Sequence, residues 1–165
     1  EGVWPPVSRS RPPALHSALL AWYEAHGRDL PWRRTRDPYA VLVSEVMLQQ
    51  TQVDRVLPKY IEFLERFPDV RSLACAAVGD VIRAWSPLGY NMRAVRLHRA
   101  AQVVVVEHSG RFPVGLAEIR SLPGVGDYTA AAVACFALGL RVPVEIAPPD
   151  SLPRFELKAK RWTKE

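Results

Sequence analysis

The sequence has 165 residues, 48% hydrophobic and 24% charged, which supplies one domain with a core and is too apolar for a disordered chain. Lys and Arg outnumber Asp and Glu by 22 to 17, a net +5 that suits a polyanionic partner and equally an ordinary basic surface. Cys75 and Cys135 lie far apart with no C-x-x-C spacing, which excludes a disulfide framework or a four-thiolate metal site from this chain alone and predicts reduced, intracellular chemistry. No apolar run reaches the roughly 18–20 residues of a membrane span, and Glu1–Pro13 lacks the apolar core of a signal peptide, so a soluble protein is expected.

Apolar residues recur at helical three- and four-residue steps between the 15 prolines. Pro12-Pro13 opens a predicted helix with Leu15, Ala18, Leu19 and Trp22 on one stripe, ending near Gly27 in a left-handed cap. Asp37-Pro38 starts a second helix, running to Gln49 and apolar nearly all round. Thr51 caps a third with a stripe of Val53, Val56, Leu57, Tyr60, Ile61 and Leu64, kinked by Pro58 and ended by Phe67-Pro68. Shorter helices are expected at Val70–Ala77 and Gly79–Trp85, and a longer one at Asn91–Glu107 whose β-branched end, Val103–Val106, is buried on both sides. Leu116–Leu122 and Tyr128–Leu138 form a last pair joined by Pro123-Gly124-Val125-Gly126. The reading is all-α: a Pro-rich segment 1–13, a helical domain 14–145 with the helix pair at about 116–138, and a Pro-rich then charged tail 146–165. That tail reads as a solvated terminus or as a basic arm built on Lys158, Lys160, Arg161 and Lys164.

Glu45 is the oddest placement, a carboxylate among Val43, Val46, Met47 and Leu48. Buried there, it would have a raised pKa and serve as a general acid; on an exposed strip, it would pair with Arg28 or Arg33. The two glycines at 124 and 126 allow a tight turn that aims free N–H groups at a phosphate, or simply a plain turn. Leu88-Gly89-Tyr90 precedes Arg93, Arg96 and Arg99, which places an aromatic able to stack on bases beside cations able to meet phosphates; packing alone would also explain the tyrosine.

Together, Leu30-Pro31-Trp32-Arg33, the run Val43-Ser44-Glu45-Val46-Met47-Leu48-Gln49-Gln50-Thr51-Gln52-Val53, Leu88-Gly89-Tyr90, and Leu122-Pro123-Gly124-Val125-Gly126-Asp127-Tyr128-Thr129-Ala130 resemble the adenine DNA glycosylases of the helix-hairpin-helix (endonuclease III) superfamily, from about Leu15 to Val144. The resemblance implies a helix-hairpin-helix glycosylase fold that stops short of the family's closing helices and iron–sulfur region. It implies removal of adenine opposite guanine or 8-oxoguanine by hydrolysis of the N-glycosidic bond, or a catalytically impaired relative that only binds DNA. Glu45 matches the acid that protonates a flipped adenine at N7, and Arg28, Leu30, Trp32, Arg33 and Val53 match the adenine pocket. Gln49, Gln50 and Tyr90 match DNA-contacting positions, the last two inserting into the base stack, and Pro123, Gly124, Val125 and Gly126 match the phosphate anchor. Tyr128 stands where lyase-type relatives carry a nucleophilic lysine, which implies monofunctional hydrolysis with Tyr128 in a possible supporting role.

The resemblance calls for an aspartate supporting the sugar cation, and counting from Gly126 that position is Ile146; Glu145 is the nearest candidate substitute. No cofactor is expected in this chain, the family's 4Fe–4S cluster being expected only in a longer product. The expected partner is double-stranded DNA with A:G or A:8-oxoguanine mispairs, bound by a monomer in the cytoplasm and nucleoid if the source is bacterial.

Overall fold

The computed structural model describes residues 13–140, with side chains from residue 17 onward. Nine helices are present among the described residues: α1 (Pro13–His26), α2 (Pro31–Arg34), α3 (Pro38–Leu48), α4 (Val53–Arg66), α5 (Val70–Cys75), α6 (Val78–Trp85), α7 (Met92–Glu107), α8 (Leu116–Ser121) and α9 (Asp127–Phe136). No helix among them is long and apolar enough to cross a membrane. The all-α reading holds. Segments 1–12 and 141–165, which include Glu145, Ile146 and the charged tail, lie outside the described residues.

The central element is α3. The Asp37 side chain accepts from the Tyr39 N–H, and Pro38 takes the first turn, where its missing N–H costs nothing. Eight of the helix's eleven residues are buried, as expected for a helix apolar on every side, and α2, α4, α7 and α9 pack around it. Phe63, Trp85, Leu73, Val104, Ile119 and Val133 join Val43 and Met47 in the core. Tyr39 sits inside with its hydroxyl donating to the Phe67 carbonyl at 2.8 Å, and burial pushes the phenol well above its ordinary range.

The structure corrects several local expectations. Gln52, not Thr51, is the residue before α4; the Thr51 hydroxyl instead accepts from Arg93. Gly27 ends α1 without left-handed geometry, and what favours glycine there is space, because a Cβ would lie 2.5 Å from the Tyr23 carbonyl oxygen. Ile61 is exposed, and Phe63 takes the third buried position on α4 beside Val56 and Tyr60. Only Val104 of Val103–Val106 is fully buried, and Val106 is 80% exposed, so this turn of α7 has one buried face and not two. The stripe on α1 is also open, Leu19 at 61% and Trp22 at 59%. Helix α2 was not anticipated, because four residues are too few to show a period.

Candidate active site

Val41, Ser44, Glu45 and Leu48 fall at positions i, i+3, i+4 and i+7 of α3 and form one stripe along it. That stripe floors a cleft of about 530 Å³, walled by Tyr23 of α1, Trp32 and Arg33 of α2, Thr35 and Arg36 of the connection, and Phe136 of α9. The volume is in the range of small-molecule sites, roughly 300–1,000 Å³. Glu45 is half-buried, and loss of water around its carboxyl raises its pKa above the ordinary value of 4.5. Ser44 directs its hydroxyl back to the Val41 carbonyl at 2.8 Å.

The ion-pair alternative for Glu45 does not hold. Arg28 lies 4.0 Å from Asp54 instead, and Arg33 donates to the Arg28 carbonyl at 2.9 Å and the Tyr23 hydroxyl at 3.2 Å. Arg36 donates to the Phe136 carbonyl at 2.8 Å, which closes the cleft between α9 and the start of α3. An acid whose pKa is raised by burial keeps its proton to higher pH than an exposed glutamate and can give it to a base that enters.

Of the residues expected in the pocket, Trp32 and Arg33 line this cleft, whereas Leu30 packs in the core, Val53 is half-buried at the start of α4 and Arg28 is exposed. Tyr128 is 77% exposed and lines a separate cleft with Leu116, Ala117, Arg120 and Asp127. Sequence reasoning missed Tyr23, Arg36 and Phe136. It also missed Val41, Ser44 and Leu48, which helical spacing around Glu45 could have supplied; Phe136 has no such local signal.

A second surface begins where α3 ends. Gln50 has φ 55°, Gly89 φ 75° and Tyr90 φ 48°, so both loops make left-handed turns. Gln49, Gln50, Tyr90, Asn91, Met92 and Arg96 line a shared open groove, from which Tyr90 projects 71% exposed. Arg93 is not one of the free cations the sequence suggested. Its guanidinium is turned inward against backbone carbonyls. In the hairpin, Gly124 takes φ 79° and Val125 is buried, while Gly126 precedes α9 with no side-chain cap, leaving first-turn N–H groups for another acceptor.

The family described as "HhH-GPD superfamily base excision DNA repair protein" matches residues 43–160, a span that holds Glu45, both loops and the hairpin and runs beyond Val144. The chain belongs to this superfamily. Among HhH-GPD relatives it is 50% identical over 127 residues to the adenine DNA glycosylase of Mycobacterium tuberculosis (strain H37Rv), covering 76% of this chain and 42% of the relative. It is 44% identical over 135 residues to the Homo sapiens adenine DNA glycosylase, covering 76% and 25%. The chain thus spans less than half the length of these relatives. Among solved structures, a thermostable thymine-DNA glycosylase aligns with TM-score 0.70 and 35% identity over 76% of this chain and 58% of that one. A non-covalent endonuclease III–DNA complex aligns with TM-score 0.63 and 19% identity, over 76% and 59%, which shows the shared fold.

The 4Fe–4S cluster implied by the adenine-glycosylase resemblance requires four thiolates. The sequence has two cysteines, Cys75 exposed on α5 and Cys135 half-buried on α9, and no group of three or more His, Cys, Asp or Glu among the described residues could hold a metal. The residues present do not fit the cluster.

Proposed function

We propose that this chain carries the base-releasing machinery of an adenine DNA glycosylase acting on adenine opposite guanine or 8-oxoguanine in double-stranded DNA. The observation that supports it best is Glu45, a carboxyl with a raised pKa on the floor of a cleft walled by Trp32, Tyr23 and Phe136. An adenine stacked in a duplex cannot reach such a group, so the nucleotide must swing out of the helix first. Glu45 then gives its proton to N7, the C1′–N9 bond breaks with its electron pair leaving on adenine, and water supplies hydroxide to C1′ while releasing a proton. Tyr128 offers no amine for a Schiff base, so the chemistry is hydrolysis by a monofunctional enzyme. The hairpin N–H groups hold a phosphate, and Gln50 and Tyr90 fill the gap left in the stack.

Losing one stabilising group at a developing charge costs about 10²–10³ in rate, so with Ile146 at the position where the resemblance calls for an aspartate the release is expected to be slow. The same residue favours a second reading, a relative that binds DNA and releases no base. Single-turnover release of adenine from a duplex with adenine opposite 8-oxoguanine separates the two. Slow release abolished in Glu45→Gln supports the glycosylase, and duplex binding with no release selects the second reading.

A further inference from the structure

Arg93 of α7 reaches across to α3 and spends both terminal nitrogens on backbone and hydroxyl oxygens. Nη1 donates to the carbonyls of Val46 and Met47, each at 3.1 Å, and to that of Gln49. Nη2 donates to the Thr51 hydroxyl at 3.1 Å and to the carbonyls of Gly89 at 3.3 Å and Leu88 at 3.4 Å. The last carbonyls of a helix have no intrahelical donor, so one guanidinium satisfies the end of α3 and the turn before α7 together. The Trp85 and Tyr90 rings lie 5.4 and 5.7 Å from its Cζ. The residues so tied flank Gln50, Gly89 and Tyr90, whose left-handed φ values are costly for the two that are not glycine and persist only when their surroundings hold them.

We propose that Arg93 is a positioning residue that fixes Gln50 and Tyr90 relative to Glu45, so that opening the base stack and presenting a base to the acid are one rigid geometry. This rests on reading Gln50 and Tyr90 as groups that enter the stack. Glu45 immediately precedes the first carbonyl that Arg93 holds, so a shift of the clamp moves the acid and both inserting side chains. Lysine cannot replace it, because a single ammonium does not span the end of α3 and the Leu88-Gly89 turn as a planar fork does.

The test uses the 165-residue chain and duplexes carrying 2-aminopurine beside the mispair, whose fluorescence rises when stacking is broken, together with affinities at about 50 and 200 mM salt. Arg93→Lys and Arg93→Ala are expected to lose most of the fluorescence increase while the slope of log Kd against log salt stays as in the parent. Methylguanidinium is expected to restore the signal in Arg93→Ala where sodium chloride at equal ionic strength does not. If Arg93→Ala fails to fold, Arg93→Lys carries the test. A slope lowered by roughly 0.9, the signature of a lost phosphate contact, overturns the proposal, as does an unchanged fluorescence increase in both variants. A parent that binds without any increase overturns it along with the insertion of Gln50 and Tyr90. Adenine release is not read here, so failure of the glycosylase chemistry is a separate result.

Discussion

Gly124 of the hairpin lies so close to Arg96 of α7 that a Cβ added to it would stand 2.7 Å from the Arg96 Cβ. The same glycine has φ 79°, a conformation that side chains disfavour. Gly124→Ala is therefore expected to lower unfolding stability by about 1–3 kcal/mol, through backbone strain and displacement of α7. Urea denaturation of parent and variant measures it, and equal midpoints with equal slopes would show that the hairpin relaxes freely.

Two residues on, the expectation reverses. A Cβ on Gly126 meets nothing within 4 Å, and the position precedes α9, where aspartate is well tolerated as a cap. Gly126→Asp is expected to keep the parent melting temperature while weakening duplex binding with little sequence preference, because its carboxylate would face a phosphate. Binding isotherms at one stated salt concentration check this, and unchanged affinity removes the anchor role.

Glu45 gives a pH signature that needs no DNA. Its pKa is raised by desolvation, so the folded state favours the protonated form. The associated stability is present below the ordinary value of 4.5 and is lost as pH rises through the raised value. Glu45→Gln is expected to raise the melting temperature relative to the parent at pH 8 and to leave it nearly unchanged at pH 4. A variant less stable than the parent at pH 8 would mean that the ionised carboxylate has a favourable partner.

Asp69 works in the opposite sense. It caps α5 by accepting from the Ser72 N–H at 2.8 Å while the Ser72 hydroxyl closes the box, and these bonds, the backbone one foremost, lower its pKa. Its contribution is present above the ordinary value of 3.8 and is lost as pH falls through the lowered value. Asp69→Ala is expected to cost about 1 kcal/mol at neutral pH, measured by chemical denaturation.

The helices were legible because their punctuation is local: Asp37-Pro38 sets the start of α3, Phe67-Pro68 the end of α4, and Gly124 the hairpin turn. Glu45 stood out for the same reason, an acid in a run of apolar neighbours. What could not be read is what distant segments do to one another. The part of Phe136 in the Glu45 cleft depends on α9 packing across α3, and the inward turn of Arg93 depends on carbonyls more than forty residues earlier. A cation beside other arginines in a sequence looks like a phosphate ligand; only the fold reveals that this one is already occupied. Tyr23 was similarly hidden, since it lies off the Leu15, Ala18, Leu19 and Trp22 stripe of α1 and nothing local marks it as reaching the cleft.

The central claim, that Glu45 is the acid that releases adenine, is tested most directly by single-turnover adenine release from a duplex with adenine opposite 8-oxoguanine, comparing the parent with Glu45→Gln at enzyme excess. The account predicts slow release by the parent, about 10²–10³ below an enzyme with both carboxylates, and none by the variant despite equal duplex affinity. Release that continues unchanged in Glu45→Gln, or a parent that binds the duplex and never frees adenine, would contradict it.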